Sequence, residues 1–262
     1  MTVRWRLAVT PQRGAIRRFA PARVALSRLR DVASALAARR RRPLVTLAIR
    51  LALLCLGATL IAGGVAGSLW TGLGAGPLDV FITSIVDRWD VPITFVVWGV
   101  AAAMISIAFA LGRRAGPGTV LLPLVSGALL PVFMRWYDRV DAPSGVTAPG
   151  VLVQIAAVAV IGVGAGAVIV AGLGAGTGEL LAGAASDHVR RPEPLVRTGV
   201  ELTWLAFGIG LGGTFGLGTV IVAALIGPAV RNGHAAVSHS ASWARPRLVE
   251  VPVIRRALTP AA

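Results

Sequence analysis

Apolar residues gather into six runs along the chain, at roughly 47–70, 92–112, 118–134, 150–171, 194–212 and 217–231. A bilayer core about 30 Å thick is crossed by about 20 helical residues. The first, second, fourth and fifth runs therefore predict spanning helices. The third and sixth are shorter, and Pro123, Gly127 and Pro131 interrupt one while Gly227-Pro228 interrupts the other. Such segments either cross a thinned bilayer or fold back as re-entrant helices. A different pattern follows the first run. Leu78, Phe81, Ile82, Ile85 and Trp89 fall on one helical face, and Asp79, Thr83 and Asp87 fall on another at four-residue spacing. This predicts an amphipathic helix too short to span.

The same pattern occurs twice. Residues 72–127 align without a gap on 172–227, with 17 of the 56 positions identical. Both copies begin Gly-Leu-Gly-Ala-Gly, and the frame sets Asp79 over Glu179, Asp87 over Asp187 and Gly118 over Gly218. A duplicated apolar unit marks membrane proteins built from two related halves, which in transporters hold a site between them. The glycines at 72, 74, 76, 172, 174, 176, 118 and 218 are expected to form structural turns, where positive φ and close helix approach favour glycine. They do not form a phosphate loop, because neither a Gly-Lys-Ser/Thr ending nor a strand-turn-helix context accompanies them.

Composition agrees with a bilayer protein, at 55% apolar and 14% charged residues. The net charge of +15 comes largely from the N-terminal segment, where 13 of the 26 Arg residues precede position 51 against one acid, Asp31. Next to a membrane helix, such a stretch sets topology and contacts anionic lipid, at about 1 kcal/mol per Arg. Nucleic acid is not expected as a partner. The segment 1–44 is read as basic and cytoplasmic, disordered or carrying an amphipathic helix on Val24, Leu26, Leu29, Val32 and Leu36. Its Arg-rich, acid-poor character also resembles an organelle transit peptide. Cys55 is the sole cysteine, so one chain can hold neither a disulfide nor a Cys-based metal site.

Charge also orients the two copies. The turn Gly112-Arg113-Arg114-Ala115-Gly116 is doubly positive where its counterpart, Gly212-Gly213-Thr214-Phe215-Gly216, is neutral. Conversely, the 77–91 loop is acidic where its counterpart ends in His188, Arg190 and Arg191. Equivalent loops of opposite bias face opposite sides of the membrane, which requires an odd number of crossings per copy. The expected fold is all-α and polytopic, with six helical spans as two inverted three-helix repeats and short amphipathic or re-entrant helices between them. Its parts are a first repeat at 45–135, an outer loop at 136–149, a second repeat at 150–231 and a basic cytoplasmic tail at 232–262. Both termini are then cytoplasmic, in a bacterial plasma membrane. Re-entrant third segments would instead make the copies parallel.

Candidate substrate- or ion-pathway residues are the polar ones that a bilayer tolerates least: Asp79, Thr83, Asp87, Glu179, Asp187, Arg197 and Glu201. Asp79 and Glu179 fit either of two roles. They are acids near helix N-termini, worth about 0.3–1 kcal/mol each, or they line a cavity that attracts a cation or proton. Glu201 lies inside the fifth run, opposite Ala101 in the first copy, and an acid there costs about 2.5–3.5 kcal/mol unless paired or hydrated. Arg197, one turn earlier, supplies an i,i+4 partner, which equally describes a snorkelling pair at the interface. His188, His234 and His239 show no metal-ligand spacing, and neither HExxH nor Gly-x-Ser-x-Gly occurs. No catalytic residue, metal or cofactor is expected, and the chain is not read as an enzyme.

As a set, the stretch Gly72-Leu73-Gly74-Ala75-Gly76-Pro77-Leu78-Asp79, the Gly116-x-Gly118-Thr119 turn, Arg197-Thr198-x-x-Glu201, and Gly216-x-Gly218-Thr219 with Leu225-Ile226-Gly227-Pro228 resemble the bacterial YczE/YyaS/YitT-type integral membrane proteins over about 45–231. The resemblance implies a polytopic plasma-membrane protein, of a group in which some members are associated with lipopeptide production. Thr177-Gly178-Glu179 departs from the Gly-Pro-x-Asp pattern at the second acid. The leading expectation is a small secondary transporter for an unspecified small molecule, with its site between inverted halves. The alternative is a non-transporting accessory or regulatory protein of a biosynthetic or export complex. Expected partners are the bilayer, anionic lipid at the N-terminus, and either a second copy or another membrane protein.

Overall fold

The structure, a computed structural model, describes residues 46–141 and 146–240. The expected N-terminal amphipathic segment, part of the outer loop and the tail beyond 240 lie outside the described residues. All regular structure within them is helical: α1 (Thr46–Trp70), α2 (Pro77–Trp89), α3 (Ile93–Ala110), α4 (Pro117–Tyr137), α5 (Ala148–Ala171), α6 (Thr177–Val189), α7 (Glu193–Gly210) and α8 (Leu217–Ser240). The bounds of α2 and α3 recur in α6 and α7 after a shift of 100 residues. The breaks recur too, with positive φ at Gly72 and Gly172, at Gly74 and Gly174, and at Gly112 and Gly212. Gly76 and Gly176 differ from these in being helix caps of negative φ. Asp90 and Arg190, chemically unlike, end α2 and α6 in the same left-handed conformation, at φ 51° and 55°.

Five helices among the described residues are long and apolar enough to cross a membrane: α1, α3, α4, α5 and α8. The third and sixth runs are longer than the sequence suggested, 21 residues in α4 and 24 in α8, and they pass through Pro123, Pro131 and Pro228. Proline removes one N–H and frees the carbonyl four residues earlier, which another group must then satisfy. For Pro131 that carbonyl is Gly127 O, and it accepts a hydrogen bond of 2.9 Å from Thr94 Oγ1 on α3. α8 also takes up residues 232–240, which the sequence reading assigned to the tail. The fifth run, α7, is the exception to the length-and-composition test, because Glu193, Arg197 and Glu201 all fall within its 18 residues.

Small residues bring α1 and α5 together. Gly57 lies against Gly164 and Val168, whereas Gly64 lies against Ala157 and Ile161. Contacts thus climb α1 as they descend α5, so these two helices run antiparallel. The remaining helices exchange partners across the molecule: α2 packs on α7, and α3 on α6. The glycine turns make the same exchange. Gly118 N–H donates to Leu173 O at 2.9 Å, and Gly218 N–H donates to Leu73 O at 2.7 Å. A Cβ at Gly118 or Gly218 would meet the opposite loop, which is why glycine is needed there. Thr119 Oγ1 completes one clasp by donating to Ala175 O at 2.7 Å.

Gln154 is fully buried on α5 beside these turns. Its Nε2 donates to Ser68 Oγ at 2.8 Å, and its Oε1 accepts from Thr71 Oγ1 at 2.8 Å. A buried amide is tolerated only when so satisfied. Cys55 is exposed on α1.

Candidate functional site

The fourth helix of each half meets the first on different terms, and a cavity results. On α5, the glycines at 162 and 166 let the backbone of α8 come into direct contact at Ala229 and Gly233. On the other side, the positions equivalent to Gly233 and Val237 are Phe133 and Tyr137, which pack over Gly63 and Gly67 of α1. Aromatic rings in place of glycine hold α4 away from α1 and lean it on α3. There Thr94 bonds Gly127 O, Trp98 Nε1 donates to Leu124 O at 3.3 Å, and the Trp98 ring closes over Gly127. The space left behind is a cavity of about 180 Å³ among α1–α4, with Thr177 of α6 in its wall.

Among the described residues the cavity lining is apolar apart from Asp79, Ser126 and Thr177, and Asp79 is the one titratable residue in it. Asp79 stands in the first turn of α2, a helix that is not one of the spans. Burial pushes its carboxyl up to about 6, against a smaller opposing effect of the Gly76 backbone hydrogen bond. Among the described residues the wall of the cavity sets no cation beside this carboxyl.

The corresponding corner of the second half is organised by charge. Arg197 on α7, aligned with Val97, pairs with Glu179 on α6 at 3.4 Å and with Glu201 at 3.1 Å. The i,i+4 pair expected from sequence is therefore present, and Glu179 joins it. α7 barely touches α8. Pro194 and Thr198 replace Thr94 and Trp98, and nothing lies near Gly227, whereas Gly127 is tightly covered. One helix pair is sealed and its counterpart is parted.

The seven candidate residues do not share one lining. Asp79 faces the cavity, Glu179, Arg197 and Glu201 form the cluster, and Asp187 accepts from Arg113 Nε at 2.8 Å. That last bond ties α6 to the α3–α4 turn. Thr83 Oγ1 donates only to Val80 O in its own helix, and Asp87 is exposed. The reading from sequence grouped them because helical spacing alone cannot tell which neighbouring helix covers a stripe. It also missed Gln154, whose signal was available as the one polar side chain in an otherwise apolar run. Among the described residues no group of three His, Cys, Asp or Glu side chains could hold a metal ion.

Residues 48–234 match a protein family described as "Family of unknown function (DUF6198)". The chain is also similar to a curated Bacillus subtilis (strain 168) protein named "Uncharacterized membrane protein YczE". The two are 28% identical over 160 residues, covering 61% of this chain and 73% of the relative. No solved structure matches.

Proposed function

The chain belongs to the DUF6198 family of proteins, and from that premise we propose that it is a small secondary transporter whose two inverted halves alternate around a site between them. It is a membrane protein in which five of the described helices are long and apolar enough to cross a bilayer. The inverted arrangement draws support from the antiparallel α1 and α5, which carry equivalent positions of the repeat. Opposite directions for α1 and α5 need an odd number of crossings in the first half, which α1, α3 and α4 supply. α8 runs parallel to α5, with Gly162 at Ala229 and Gly166 at Gly233, so the second half needs α7 as the sixth span. Its charges are tolerable because Arg197 neutralises one acid and the cluster is half-exposed. Both termini and Arg113-Arg114 then lie on the cytoplasmic side of a plasma membrane, where the basic N-terminal segment meets anionic lipid.

The observation that carries transport is the contrast between the halves. One sequence frame is sealed at α3–α4 around a cavity and parted at α7–α8. Two conformations of one repeat are what alternating access exchanges. Ser126 Oγ, in the cavity wall, donates to Leu122 O of its own helix at 2.9 Å rather than to Asp79, an arrangement that favours binding over catalysis.

Two experiments test this reading, both in a Cys55→Ser background. With an impermeant maleimide on intact cells, Thr214→Cys is expected to label and Ala115→Cys to stay protected until the membrane is opened. Labelling of both from one face overturns the inverted fold. Ser126→Cys, in the cavity wall, is expected to react slowly from either face of sealed vesicles. Access from one face only would remove alternation, and with it the transport reading.

A further inference from the structure

The second half already contains an occupant for the corner that the first half leaves open. In the aligned frame Asp79, Val97 and Ala101 correspond to Glu179, Arg197 and Glu201. All three residues of the first set line the cavity, and all three of the second set form the ionic cluster. The Arg197 stem reaches across from α7 and sets a guanidinium against the acid of the short helix. Val97 and Ala101 stop short and carry no charge, so the equivalent acid faces the apolar side chains of the cavity wall.

We propose that the Asp79 cavity binds a small hydrophobic monocation, an alkylguanidinium or primary alkylammonium, with its charged head where the Arg197 guanidinium lies in the other half. This rests on the transport reading only for what becomes of the ligand, not for its binding. Size sets the ligand's upper limit. A dry apolar cavity of about 150 Å³ takes a benzene-sized molecule, and drug-sized ligands need roughly 300–1,000 Å³. The volume of about 180 Å³ thus suits a cation of about six to eight non-hydrogen atoms. Its tail would lie among Ile61, Val65, Ile82, Val100 and Met104. Ca²⁺ or Mg²⁺ fits poorly, since among the described residues the wall offers the polar side chains of Asp79, Ser126 and Thr177 alone, against about six oxygens for either ion. A dication would leave one charge unpaired in an apolar site, which is strongly unfavourable.

The test uses the full chain purified into lipid nanodiscs, titrated with n-butylguanidinium, n-pentylammonium and the neutral 1-pentanol. Saturable binding of the two cations and none of the alcohol is expected. Asp79→Asn should weaken cation binding at least tenfold. Val97→Arg should abolish it, because the new guanidinium fills the cavity and pairs with Asp79 as Arg197 does with Glu179. Should that variant fail to fold, Asp79→Asn and the alcohol still decide. Equal binding by Asp79→Asn, equal affinity for 1-pentanol, or no binding by the wild type at millimolar cation each overturns the proposal. Saturable binding without exchange in sealed proteoliposomes keeps the cation site and overturns transport alone. Two-faced access at Ser126→Cys without cation binding does the reverse.

Discussion

Gly166→Leu is expected to yield no monodisperse folded protein, while Gly227→Leu yields nearly wild-type amounts. A side chain at 166 would run into the backbone of α8, at the Gly233 carbonyl and the His234 amide nitrogen. Backbone cannot rotate aside as a side chain can, so α8 must move off α5. Overpacking a well-filled contact costs about 1–3 kcal/mol when neighbours adjust, and a four-carbon side chain against fixed backbone should exceed that range. Gly162, one turn away, makes the same kind of contact with Ala229, so the whole face would separate. Nothing lies within reach of Gly227, in the same α8, and leucine there would meet only the apolar surroundings. Fluorescence-detected size exclusion of both variants in mild detergent reads the result directly. Equal recovery of the two would mean that close glycine contact does not hold α5 to α8.

These glycines show where sequence stopped short. The repeat frame was legible because it is a local property, and the turns recur with their positive φ at 72, 74, 172 and 174. Six apolar runs and the short amphipathic helix after the first could be read from periodicity. Partner choice could not. That α2 packs on α7 and α3 on α6 depends on which apolar face lies opposite, and all faces of a bilayer protein look alike in composition. Pro131 is instructive in the same way: read alone it interrupts a helix, and only the Thr94 hydroxyl of a neighbouring helix shows why α4 continues.

The cavity was the least legible feature. The sequence singles out Asp79 and sets Glu201 against Ala101, but helical spacing alone puts both in one pathway. What separates them is the replacement of Gly233 and Val237 by Phe133 and Tyr137 at equivalent places, which changes how far the fourth helix stands from the first. Such differences in side-chain volume follow no motif. They become visible only when the two halves are compared position by position in space.

Thermal stability of the wild-type chain should fall as pH rises from about 4 to 7, and the Asp79→Asn variant should lose that slope. Asp79 has an ordinary value of 3.8 and one of about 6 when folded, so between these limits the native state binds more proton than the unfolded state. Stability from the protonated form is then complete below pH 3.8 and is lost as pH passes 6. A shift of this size corresponds to at most about 3 kcal/mol, from about 1.4 kcal/mol per unit. Asparagine keeps the shape and never ionises, so above pH 6 the variant should be the more stable of the two. Among the described residues no second titratable side chain lines the cavity to blur the comparison. Parallel melting curves for the two proteins across this window would mean that Asp79 ionises as freely as in water. Adding n-butylguanidinium at pH 7 should restore the wild type toward its stability at pH 4 and leave Asp79→Asn unmoved, since a bound cation neutralises the carboxylate as a proton does.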